Sequence, residues 1–99
     1  MKQAPPLTEE AAEELAIQAL TFLAADPVRL GSFLAATGIG PSQIRAASGE
    51  PGFLAGVLDF LASDDRLIVD FGAATGADPA DVARAYATLS GARWEREVP

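Results

Sequence analysis

Chemistry in this chain would have to be carried by carboxylates, because most other reactive side chains are missing. Asp59, Asp64 and Asp65 lie close together in sequence, and so do Asp78 and Asp81. Grouped carboxylates are the ligands that magnesium takes. Asp64 and Asp78 have a second use, however, since each stands just ahead of a helical pattern, where a side-chain oxygen caps the first backbone N–H groups. The ligand spacing of a calcium loop is absent. There is no histidine and no cysteine, which removes the commonest general acid–base and the usual zinc ligands. The one lysine, Lys2, precedes the first helical pattern, so neither a Schiff base nor a phosphate-cradling lysine is expected. GIGP at Gly38 to Pro41 reads as a helix connection, and a serine or threonine nucleophile would have no positioned base. The residues predict no catalytic, cofactor-binding or metal site, and hence a protein that is not an enzyme.

Recognition is the other possibility. A helix-turn-helix places a glycine in its turn, a small residue four positions before it and an aliphatic six positions after it. Gly72, Gly76 and Val82 have that spacing. Gly38 and Ile44 have its second half, with the oversized Leu34 at the small position. Asp78 and Asp81 at the start of the last helix would face phosphates, whereas Ser42, Gln43 and Arg45 are less hostile to nucleic acid. A nucleic-acid-associated regulator is thus the alternative reading, favoured by a basic face around Arg29, Arg45 and Arg84 and disfavoured by scattered arginines. Seven basic against fourteen acidic residues give a net charge of −7, which opposes both nucleic acid and anionic membranes. The first reading is therefore an interaction module that binds another protein or itself through a helical groove. Tyr86 and Trp94 are its candidate anchors, since aromatics dominate interface energetics; Trp94 could equally fold back onto the last helix.

The elements that must position these residues are helices. Twenty-one of the 99 residues are alanine, the best helix former, and no stretch shows the β-branched alternation of a strand. Residues 1–7 read as a lead-in, since Pro5 and Pro6 cannot join helical hydrogen bonding. Thr8 caps a first helix from Glu9 to about Ala25. Asp26–Pro27 opens a second, which Gly38 stops after Thr37. Pro41 opens a third that closes by Gly49, and Pro51 a fourth that runs to Ala62. Asp64 caps a fifth ending at Thr75–Gly76, and Asp78–Pro79 opens a sixth ending at Ser90–Gly91. Residues 92–99 read as a tail, leaving one domain over 8–91.

The sequence also repeats itself. Offset by 38 residues, Leu20–Ala47 aligns with Leu58–Ala85 without a gap, and twelve of the 28 pairs are identical. Four are alanine pairs, which this composition makes cheap. The other eight include Phe22/Phe60, Asp26/Asp64, Phe33/Phe71, Thr37/Thr75, Gly38/Gly76 and Pro41/Pro79, so caps, stops and aromatics recur together. The expectation is an all-α, compact six-helix bundle of two pseudo-symmetric three-helix repeats, about 8–49 and 50–91, with helix-turn-helix-like corners. The broad apolar faces of the first and fourth helices place those two at the centre, with the others outside.

Three segments carry a family resemblance: F-L-A-x-D-P-x-R-L at Phe22 to Leu30, T-G-I-x-P at Thr37 to Pro41, and P-x-F-L-x-x-V-L-D-F-L at Pro51 to Leu61. The chain resembles a family of short bacterial helical proteins known only as a domain of unknown function. The resemblance implies a small cytoplasmic helical protein with no assigned activity, so no site residue is carried over. The longest apolar run, Leu15 to Ala25, is too short for a membrane span and follows glutamates rather than a basic segment, which also gives a cytoplasmic expectation.

Overall fold

A computed structural model describes residues 7–47 and 49–97, with the backbone alone at Pro41, Pro51 and residues 92–97. Its helices are α1 (Glu9–Ala24), α2 (Pro27–Thr37), α3 (Ile44–Ala47), α4 (Pro51–Ala62), α5 (Asp65–Thr75) and α6 (Pro79–Glu97), with a 3-10 turn over Pro41–Gln43 leading into α3. No strand occurs among the described residues. α1, α2 and α5 begin where side chains satisfy their first N–H groups, whereas α4 opens on Pro51 without a side-chain cap. Thr8 accepts from Ala11 N at 3.0 Å, Asp26 from Val28 N at 2.9 Å, and Asp64 from Arg66 N at 2.9 Å. Both α2 and α5 end on a left-handed glycine, Gly38 at φ 75° and Gly76 at φ 80°, a region where a Cβ would meet the following carbonyl. A threonine closes the turn before each glycine. Thr37 donates to the Phe33 carbonyl at 2.9 Å, and Thr75 to the Phe71 carbonyl at 2.8 Å.

The core lies where α1, α4 and α6 meet. α1 buries Ala12, Ala16, Ala19 and Leu23, which share one helical face, and the small side chains let its backbone approach its neighbours. α4 buries Leu54, Ala55, Val57, Leu58 and Leu61, and α6 buries Val82, Ala85 and Leu89. Phe33 from α2 and Phe71 from α5 enter this core fully buried. The Phe33 ring meets Phe60 edge-on at 5.4 Å between centroids, and Phe71 meets Phe22 edge-on, also at 5.4 Å. Edge-to-face pairs of this kind contribute about 0.5–1.5 kcal/mol beyond the area they bury. Under the 38-residue offset Phe22 corresponds to Phe60 and Phe33 to Phe71. Each pair therefore joins the first helix of one half to the second helix of the other.

The third elements depart from the expected arrangement. α6 packs most extensively against α4 and α1, so the centre holds three helices and not the first and fourth alone. It also continues through Gly91 to Glu97 instead of ending at Ser90–Gly91. Gly91 lacks a positive φ, and one interior glycine costs only about 1 kcal/mol against alanine, too little to stop a helix flanked by good formers. The expected third helix lies between Pro41 and Gly49 as read, but it is a 3-10 turn over Pro41–Gln43 followed by a single α turn, Ile44–Ala47. On α1 the broad apolar face proves misleading, because the alanines are buried while Ile17 is 48% exposed. Leu7, assigned to the lead-in, packs against the core, and its carbonyl accepts from Thr88 Oγ1 at 3.0 Å. The remainder of that lead-in, residues 1–6, lies outside the described residues.

Candidate functional site

Three of the five carboxylates serve the fold. Asp64 and Asp78 cap α5 and α6, Asp78 accepting from Ala80 N at 2.9 Å, and Asp81 pairs with Arg84 within α6. Among the described residues no three acidic side chains come together in a group that could hold a metal ion. The nucleic-acid candidates lie on the short third element. Gln43 Oε1 accepts from Gly40 N at 2.9 Å, so its amide braces the 3-10 turn, while Ser42 and Arg45 are exposed. Arg29, Arg45 and Arg84 stand on α2, α3 and α6 respectively. Arg29 lies 3.8 Å from Asp26 and 3.6 Å from Asp70 and rests 4.2 Å over the Phe22 ring. Arg29 and Arg84 are thus committed to carboxylates of their own chain.

Of the two aromatic anchors, Tyr86 is 41% exposed on α6; the side chain of Trp94 lies outside the described residues.

An open groove of about 450 Å³ runs between α1 and the end of α5. Ile17, Gln18, Thr21, Phe22 and Ala25 form one wall, and Ala74 and Thr75 the other. Its origin is local. The buried seam of α1 is alanine-rich and turns Ile17 outward, while Phe22 at its flank packs on Phe71 with one side and lines the groove with the other. The last turn of α5 carries only small side chains towards the gap. The two threonines add little polarity, because Thr21 donates to the Ile17 carbonyl at 2.9 Å and Thr75 to that of Phe71 at 2.8 Å. Gln18 is the one remaining polar side chain among the lining residues, and none of them titrates near neutral pH. The groove can bind apolar surface; it holds no acid, base or nucleophile. The broad apolar face read for the first helix does not set Ile17, which is exposed, apart from Phe22, which packs against the core, and nothing in the sequence brings Ala74 and Thr75 to them. The one available signal was the four-three-four spacing of Ala12, Ala16, Ala19 and Leu23, which turns Ile17 outward.

A compact all-α domain with a mainly apolar groove is the class that fold and site define. The chain belongs to the family described as Protein of unknown function (DUF3572), whose model matches residues 9–92. No match is found among curated proteins or solved structures. Among the described residues no single helix is long and apolar enough to cross a membrane.

Proposed function

We propose that this protein is a non-enzymatic interaction module that receives an apolar helix of another protein in the groove between α1 and α5. The observation that carries the reading is the groove's lining: apolar, half-open and without a reactive group. A small-molecule site of this volume would present a few convergent polar groups to orient its ligand, and here Gln18 alone is left to do so. A helix needs no such groups, because its own hydrogen bonds are satisfied and its apolar face supplies the affinity. Ile17 at 48% exposed has the character of an interface residue. The nucleic-acid alternative is weaker, since Arg29 and Arg84 already hold carboxylates and α3 is one turn long.

Site-specific photocrosslinking in cells tests the proposal. A benzophenone side chain at Thr21 or Ala25 should capture one discrete protein species, and the same group at the exposed Val69, outside the groove, should not. Equal labelling from all three positions would refute the groove as the binding surface.

A further inference from the structure

We infer that the occupant of this groove is a basic amphipathic helix, with lysine or arginine along the edge that lies over α1. The inference rests on the docking reading above and adds the partner's charge. α1 carries two stripes with the same four-three-four spacing. Ala12, Ala16, Ala19 and Leu23 form the buried one. Glu10, Glu14, Ile17 and Thr21, two residues out of step and so nearly opposite, are all exposed. The second stripe begins acidic and ends in the groove wall, so a helix lying along Ile17 and Thr21 and extending towards the start of α1 passes over Glu14 and then Glu10. α1 contains no lysine or arginine, and neither glutamate forms an ion pair among the described residues. Arg29, which rests on the Phe22 ring at the groove wall, is held by Asp26 and Asp70. The acidic edge therefore awaits charge from outside. A second copy of this chain does not supply it, since α1 laid on α1 would set glutamate against glutamate within a net charge of −7, and like charges at such a seam repel.

Two synthetic 18-residue helical peptides decide the matter. They share a leucine seam, and one carries lysine on both flanks where the other carries glutamate. Each is titrated into the full-length, ¹⁵N-labelled protein while the amides of Ile17, Thr21, Ala25, Ala74 and Thr75 are followed. The lysine peptide should shift those amides saturably and the glutamate peptide should not. The double variant E10Q/E14Q, checked for an unchanged melting profile, should weaken the lysine peptide by roughly three- to tenfold, the scale of two exposed ion pairs. If both peptides shift the groove amides equally, the groove still docks helices and the charge inference is overturned. Shifts from neither peptide would remove the docking reading itself. Shifts from the lysine peptide spread over other acidic surfaces, and insensitive to E10Q/E14Q, would show charge attraction without a site and overturn the inference too.

Discussion

Residues 9–47 and 51–91 begin alike and finish differently. Each opens with a helix that contributes to the core, turns through an aspartate cap, and sends a second helix inward on a buried phenylalanine. Each second helix then stops on threonine and a left-handed glycine. After that glycine the first half has a 3-10 turn and one α turn, whereas the second has the 19-residue α6, laid across α1 and α4. Position by position the same contrast appears at the surface: Ile17 is 48% exposed, and its counterpart Ala55 is 6% exposed. The lesson concerns which residues the two halves share. Caps, stops and the reciprocal phenylalanine pairs are common to both and hold the bundle together. Of the residues that line the groove, Ile17, Gln18, Thr21 and Ala25 differ from their counterparts, whereas Phe22, Ala74 and Thr75 recur in the other half.

The comparison can be broken most forcefully at the buried rings. Phe33→Ala and Phe71→Ala should each cost about 3–5 kcal/mol, the usual loss for a buried phenylalanine. That is a large share of the roughly 5–15 kcal/mol available to a domain. The two losses should be similar, with Phe33 the costlier because it also meets Phe53 at 5.9 Å, where the other half has Leu15. Phe22→Ala and Phe60→Ala remove partly buried rings and should cost less than half as much. Urea unfolding measures all four. A loss below about 1 kcal/mol at Phe33 or Phe71, the scale of a surface change, would show that the two halves do not share a reciprocal core.

How much of this was legible follows from which interactions are local. Caps and stops involve residues two to four apart, so Asp26, Asp64, Gly38 and Gly76 could be read from sequence and are found in those roles. The end of α6 could not, because Gly91 resembles a stop until the helix around it is seen to continue. Nor could the central place of α6 be read, since a seam of Val82, Ala85 and Leu89 looks the same whether one neighbour or two cover it. The groove was the least legible. It depends on two segments far apart in the chain, Ile17–Ala25 and Ala74–Thr75, and on which face of α1 turns inward. Apolar content alone does not set Ile17 apart from Phe22, yet Ile17 is exposed while Phe22 packs against the core.

The shared stops offer a sharper and smaller test. Gly38→Val and Gly76→Val each force a β-branched residue into the left-handed region, where an ordinary side chain already costs about 1–2 kcal/mol. Both should therefore lower stability by about 2 kcal/mol or slightly more, and by similar amounts. Neither glycine has an atom within 4 Å of a built Cβ, so the loss would come from backbone conformation and not from a clash. Chemical denaturation reads it directly. A loss at one site and none at the other would mean that one turn can relax to a negative φ, and that the two stops are alike in sequence only.

The smallest expected effect is one of sign. Gly31 in α2 and Gly72 in α5 both lie inside helices, where alanine is favoured over glycine by about 0.5–1 kcal/mol. A Cβ at Gly31 meets nothing within 4 Å, but one at Gly72 would lie 3.0 Å from the Ala77 carbonyl oxygen. That oxygen cannot retreat cheaply. Ala77 N is held by Thr75 Oγ1 at 3.2 Å, Gly76 N by the Gly72 carbonyl at 2.7 Å, and α6 begins two residues later. Gly31→Ala should accordingly raise the urea midpoint, and Gly72→Ala should lower stability by about 1 kcal/mol once overpacking outweighs the helical gain. The counterpart of Gly72 is Leu34, which the first half accommodates because its chain leaves Gly38 through Ile39 and Gly40 into a 3-10 turn. Small size at position 72 is thus required by the corner that delivers α6 to the core. If Gly72→Ala stabilises as much as Gly31→Ala, the Ala77 carbonyl yields freely, and that corner does not fix the direction in which α6 departs.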